Sequence, residues 1–226
     1  MFNLKRIRGK YEMKQHTQEI RQRVLESAKE LLIEQGYKKT TIRSIVERSG
    51  VLTGSIYYFF KNKEAIFAEM LESIIHQCIE KIDTCCEGET AAFKFAVLCE
   101  VELKKMQDDP RIREIYFECY RSPVIFEKFV DLFASFAKRL FGTRFADEEY
   151  RQKNLLIKGA MGASITALYF EHEMDDARTR AEVIRGTLRL MSVPEAEIAA
   201  TMDRMRGREE LWQHIAQELV EMPLAI

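Results

Sequence analysis

Between Arg43 and Lys63 seven residues form a set suited to holding a polyanion: Arg43, Thr53, Gly54, Ser55, Tyr57, Tyr58 and Lys63. Arg43 has the reach and the planar guanidinium fork that match a guanine edge or a phosphate. Thr53 and Ser55 donate or accept a hydrogen bond, and Gly54 between them leaves room for a close backbone approach. Tyr57 and Tyr58 offer hydroxyls to phosphate oxygens, although Tyr57 also fits a packing role against the preceding helix. Lys63 opens a long helix whose free N–H groups favour an anion. In such a set, phosphate contacts fix affinity and register, and Arg43, Thr53 and Ser55 set base preference.

The charge distribution supports the same chemistry. Residues 1–63 hold 14 Lys and Arg against 6 Asp and Glu, a net of +8, whereas residues 64–226 hold 21 against 30, a net of −9. A basic head on an acidic body points to nucleic acid as the partner of the head. The run Lys5, Arg6, Arg8, Lys10 and Lys14 reads as a basic, solvated tail that raises nonspecific affinity, in preference to a minor-groove arm.

These side chains need elements to hold them. Ile20, Val24, Leu25, Ala28, Leu31 and Leu32 recur at helical spacing up to Gln35 and Gly36. Thr40 and Thr41 can cap a second, short helix carrying Ile42, Ile45 and Val46, which ends at Ser49 and Gly50. A third two-turn segment runs from Thr53 to Phe59, ahead of a long pattern from Asn62 to about Cys86. Two short helices across a tight glycine-containing turn form a helix-turn-helix, whose second helix enters the major groove.

The run from Thr40 to Val46, followed by Ser49 to Ile66, resembles the N-terminal domain of the TetR family of bacterial transcriptional regulators over about residues 20–70. Val46 and Ser49 replace small alanines of the family pattern, and Phe59 replaces a Tyr or His. Leu52 stands where the family usually has a capping Ser or Thr, which leaves the cap to Thr53. The resemblance implies that positions 41, 43, 53, 54, 55, 57, 58 and 63 meet DNA.

The rest of the chain reads as helices: Thr90 to Gln107, Pro110 to Tyr120, Ser122 to Phe141, Asp147 to Glu173, Asp176 to Met191 and Pro194 to Glu221. Pro110, Pro123 and Pro194 fall at first turns, where a missing N–H costs little. The helix from Ser122 bears Phe126, Phe129, Val130, Phe133, Phe136, Ala137 and Leu140 on one face, first of all a core stripe. As a cavity wall, Phe126, Phe129 and Phe133 would join Cys99, Tyr116, Cys119, Tyr120 and Tyr169, with Glu102, Glu118 and His172 as polar anchors. Small residues from Gly159 to Ala167 let another helix approach closely.

The cysteines, Cys78, Cys85, Cys86, Cys99 and Cys119, form no CxxC pair and no zinc pattern, so they read as small hydrophobes with no metal and no cofactor. No phosphate loop or catalytic constellation appears. The start carries charges without an apolar core, and the most apolar window, Leu155 to Phe170, contains Lys158 and is too short for a bilayer. A cytoplasmic protein with no membrane partner is therefore expected.

The expected fold is all-α, with a basic tail over 1–15, a three-helix DNA-binding domain over 16–63 and a larger helical ligand-binding and dimerisation domain over 64–226. The resemblance implies a non-enzymatic regulator, most often a repressor, released from a palindromic double-stranded operator by a small-molecule effector, which the aromatic and Met-rich lining suggests is apolar or aromatic. It also implies a homodimer through the late helices, about residues 150–191. The alternative is a DNA-binding regulator without an effector, controlled by a protein partner or by cysteine oxidation.

Overall fold

Gly36 ends the first helical run as its position predicts, with φ at 80° and ψ at 172°. Thr40 covers that end, its hydroxyl donating to the Gly36 carbonyl at 2.8 Å. The computed structural model describes the backbone of residues 2–170 and 176–224, and the side chains of 15–170 and 177–224. The helical span α1 (Phe2–Lys39) begins at Phe2, so the segment expected as a tail is helical. Its physical reason is propagation: the segment has no proline, and extending an existing helix needs no new nucleus.

The short helix α2 (Ile42–Ser49) starts on a reciprocal cap. Thr41 Oγ1 accepts from the Ser44 N–H at 3.1 Å, and Ser44 Oγ accepts from the Thr41 N–H at 2.9 Å. Gly50, at φ 64°, closes it. The helix α3 (Thr53–Phe59) follows with no side-chain cap. Thr53 does not take over from Leu52 as expected; the Leu52 carbonyl alone receives the Ser55 and Ile56 N–H groups at 2.9 and 3.1 Å. Val24, Leu25, Ala28, Ile45, Ile56, Ile66 and Phe67, all fully buried, lock the first three helices onto the next one. Each of these side chains other than Ala28 contributes about 1.5–3 kcal/mol of transfer free energy.

The body begins with α4 (Lys63–Cys85), capped by Asn62, and α5 (Ala91–Asp108), capped by Thr90. It continues through α6 (Pro110–Arg121), α7 (Pro123–Phe141), a 3-10 turn at Gly142–Arg144, α8 (Asp147–Tyr169) and α9 (Asp176–Leu190). The last expected helix is in fact two, α10 (Glu195–Met205) and α11 (Glu209–Glu221). Arg206 turns extended and Gly207 adopts φ 81°, a left-handed angle that breaks the run. Pro194 sits one residue before α10, at its N-cap. No strand occurs among the described residues, and none of their helices is long and apolar enough to cross a membrane.

Helix α5 is the axis of the body, packed by α4, α6, α7, α8, α9, α10 and α11. Its buried set runs from Ala92 through Met106 on nearly every side, as a central helix requires. The aromatic stripe of α7 is mainly core: Phe129, Val130, Phe133, Phe136 and Ala137 are buried against α4 and α8. Beyond α11, the carbonyls of Met222, Pro223 and Leu224 accept hydrogen bonds from Lys29, Gln77 and Gln22, tying the end of the described chain to α1 and α4.

Candidate nucleic-acid interface and the cavity behind it

Helix α3 turns one face inward through Ile56 and leaves the other outward. Thr53 and Gly54 are exposed, Ser55 is half-buried, and Tyr57 and Tyr58 are 55% and 82% exposed. Tyr57 is therefore not a core residue. Leu52, at the leading end of α3, is 77% exposed, a large apolar side chain left beside the polar ones. Thr41 and Arg43 stand at the start of α2, and the Arg43 guanidinium lies 2.9 Å from Glu47 with its side chain 89% exposed. A pair this exposed is weak, so Arg43 can exchange Glu47 for a phosphate or a base edge at little cost.

Lys63 is held differently. Its ammonium donates to the Tyr37 carbonyl at 2.9 Å and lies 3.8 Å from the centre of the Tyr37 ring. Burial lowers its pKa from the ordinary lysine value. Lys63 thus fastens the start of α4 to the end of α1, a role that its position at a helix N-terminus did not reveal.

Behind the head, a cavity of about 110 Å3 opens between α1, α4, α5, α6, α7 and α11. Leu32, Leu71, Ile75, Cys78, Leu98, Val101, Ile115, Phe133 and Leu219 make its apolar wall, and Lys29, Glu102, Lys105 and Tyr116 are its polar members. Glu102 is buried, and its Oε2 receives the Lys158 ammonium of α8 at 2.6 Å. The same ammonium lies 3.2 Å from the Phe133 ring centre. Burial pushes the Lys158 pKa down and the Glu102 charge opposes it. Glu102 Oε1 is buried with no hydrogen-bond partner.

Residues 24–70 match the family described as bacterial regulatory proteins, tetR family. The HTH-type transcriptional regulator YfiR of Bacillus subtilis, itself uncharacterized, is 25% identical over 184 residues, 75% of this chain and 90% of its own. The HTH-type transcriptional regulator QacR of Staphylococcus aureus is 36% identical over 115 residues, 48% of this chain and 60% of its own. Residues 24–70, which hold the helix-turn-helix, thus match the tetR family. A crystal structure of RolR in complex with the ligand resorcinol shares the fold, with a TM-score of 0.62 and 20% identity over 94% of this chain and 98% of that one.

In this helical body, Glu102, Tyr116 and Phe133 of the expected pocket residues meet at the cavity. The others among the described residues do not border it. Cys99 and Cys119 are buried in the core. Tyr120 packs against Phe126 and Phe129 at 5.6 and 5.9 Å, with the Gly162 backbone pressed onto its ring. Tyr169 stacks on Phe117 at 3.9 Å, and its hydroxyl accepts from Lys38 at 3.4 Å. Glu118 is engaged by Lys38 and Arg121, each at 3.4 Å. His172 lies outside the described residues. The sequence reading missed the walls from α1, α4 and α11, because their cavity residues look like any amphipathic face. The one available signal was Lys158, a lone charge in the most apolar window of the chain. Among the described residues no cluster of three His, Cys, Asp or Glu could hold a metal ion.

Proposed function

We propose that the chain is a dimeric, operator-binding transcriptional repressor of the cytoplasm whose DNA affinity is set by a small molecule in the cavity behind its head. The observation that carries this reading is that one set of helices serves both places. Helix α6 lines the cavity with Ile112, Ile115 and Tyr116. From the same helix, Arg111 donates to the Ile33 carbonyl at 3.1 Å, Glu118 holds Lys38 and Glu114 lies against Gly36. Helices α1 and α4, which carry the recognition elements, form two more walls.

A ligand that pushes α6 outward moves the end of α1, and the Lys63 link to Tyr37 carries the displacement to α4. The ligand lowers operator affinity only as far as it binds the displaced arrangement better than the DNA-bound one. In the DNA-bound form, α3 lies in the major groove with Thr53, Gly54 and Ser55 forward. Thr41, Arg43, Tyr57 and Tyr58 contact the duplex, and Lys63 serves as a hinge that meets phosphate only if it leaves Tyr37.

One recognition helix of seven residues reads few bases, so two copies related by a two-fold axis are needed, on a palindrome with half-sites about 34–36 Å apart. Helices α8 and α9 are the dimer surface in this reading. Leu155 and Leu156 are 41% and 59% exposed. A groove between the two helices is lined by Ile157, Ala160, Val183, Gly186 and Leu190. Gly159 and Gly186 have open space where a Cβ would stand, ready for a close helix, whereas Gly162 is small for Tyr120 within the chain.

Selection of genomic fragments with the purified protein, followed by binding at varied salt, tests the reading. One enriched palindrome, bound with an affinity that falls steeply with salt and is lost in Arg43→Ala, is the expected result. No enrichment would overturn it.

A further inference from the structure

The cavity has a size, a wall and one buried atom without a partner, and together these select a ligand. Its volume of about 110 Å3 is somewhat below the roughly 150 Å3 of a cavity known to admit benzene. One ring therefore fits with slight adjustment of the walls, and two rings or a long alkyl chain do not. Leu71, Ile75, Leu98, Val101 and Phe133 give that ring an apolar seat.

The polar preference follows from Glu102. Its Oε2 is taken by Lys158, while Oε1 is buried and unpartnered, so Glu102, which borders the cavity, keeps one acceptor that a small turn of its carboxylate would offer to a ligand. A ligand cation would enter beside the Lys158 ammonium, with Lys29 and Lys105 also bordering the space. Four positive charges would then face one carboxylate. A ligand carboxylate, although drawn to the same lysines, would set a second acceptor against Oε1 with no proton between them. A neutral donor meets neither penalty.

We infer that the cavity binds a single aromatic ring bearing a neutral hydrogen-bond donor, a simple phenol, with its hydroxyl donating to Glu102 Oε1. This rests on the cavity being the effector site. It adds the ligand class and the residue that selects it.

Calorimetry on the full chain without DNA, using phenol, toluene, benzylammonium and benzoate, is the test. The four probes share a ring and differ in the polar group. Phenol should bind about tenfold or more tightly than toluene, with the two ions weaker than phenol. In a protein carrying Glu102→Leu and Lys158→Met together, so that no lone charge stays buried, the advantage of phenol over toluene should vanish. Leu98→Phe, which puts a ring into the space, should abolish binding of all four probes even if the double variant does not fold.

Toluene binding as well as phenol, or benzoate binding best, would overturn the inference, as would no binding at all or full phenol affinity in Leu98→Phe. The regulator reading is judged separately on the selected DNA fragment. Phenol binding that leaves the DNA complex intact supports the ligand class and removes the effector role, whereas specific DNA binding with no affinity for any ring removes the ligand class alone.

Discussion

Lys158 Nζ lies 2.6 Å from Glu102 Oε2 and 3.2 Å from the centre of the Phe133 ring, with the two charged side chains 0% and 6% exposed. Two ions taken out of water gain back in attraction only part of what desolvation removes. The pair therefore specifies how α8 docks on α5 more than it stabilises the body. Glu102→Ala alone should cost about 3–5 kcal/mol, whereas Glu102→Leu with Lys158→Met should be neutral or more stable. Urea unfolding with an unchanged slope measures both, and equal losses in the two variants would refute the argument.

The same pair has a pH signature. Burial lowers the Lys158 pKa below its ordinary 10.5. The folded protein then releases that proton before the unfolded chain does. Stability is reduced while both states hold the proton, and the deficit is relieved as pH rises through the folded value toward 10.5. The gap in stability between the double variant and the parent protein should accordingly narrow in the alkaline range. A gap that is flat up to pH 10.5 would mean that Lys158 titrates normally.

Gly54 has no internal reason to be glycine. A Cβ there meets nothing within 4 Å, and its φ is not left-handed. Gly54→Ala should raise stability by up to about 1 kcal/mol, since glycine inside a helix is costly. Operator affinity should drop at the same time if the absent side chain makes room for DNA. Affinity that stays unchanged would remove α3 residue 54 from the interface.

Arg43 and Lys63, alike in charge, should separate in experiment. Arg43→Ala gives up an exposed pair and should leave stability essentially unchanged while weakening DNA binding and flattening its salt dependence. Lys63→Met leaves the Tyr37 carbonyl without its donor and should cost about 1–3 kcal/mol in thermal or urea unfolding. Should Lys63→Met prove as stable as the parent, the fastening of α4 to α1 would not be the main role of that residue.

This contrast marks how far the sequence could be read. The helix-turn-helix was legible because its signals are local: the Thr41 cap, the Gly50 stop and the apolar trio of α2 decide backbone and burial within a few residues. The same holds for Gly36 and for Pro110 and Pro123. The inward turn of Lys63, the break at Gly207 within an amphipathic run, and the choice of Phe133 over Phe126 as cavity wall depend on packing from distant elements. No periodicity within one helix encodes which neighbour it will meet. The all-α class and the family match of the helix-turn-helix followed from the local signals; most of the pocket did not.

Four of the five cysteines are buried, and Cys85 alone is exposed. Burial pushes the Cys78 and Cys99 thiols up to about 12 and the Cys119 thiol higher still, so they stay protonated and unreactive near neutrality. Native protein should therefore show one fast thiol toward a disulfide reagent, lost in Cys85→Ser, and the remaining four only on unfolding. Operator binding should survive mild oxidation. Loss of binding that a thiol reductant restores would bring back control through cysteine.

The segment after α11 clamps the head through four hydrogen bonds. Lys29, Gln77 and Gln22 donate to the carbonyls of Met222, Pro223 and Leu224, and the Leu224 N–H donates to Glu26 at 2.5 Å. Leu224 itself is 2% exposed. Truncation after Glu221 removes all four bonds and leaves the buried Lys29 ammonium without that acceptor, at about 0.5–1.5 kcal/mol per bond. Because α11 also lines the cavity, the loss should loosen α1 and the cavity together. Hydrogen exchange should quicken in α1 over residues 20–29 and in α4 around Gln77, with α9 unaffected. Unchanged protection in α1 would show that its seat is held by the core of Val24, Leu25 and Ala28 alone.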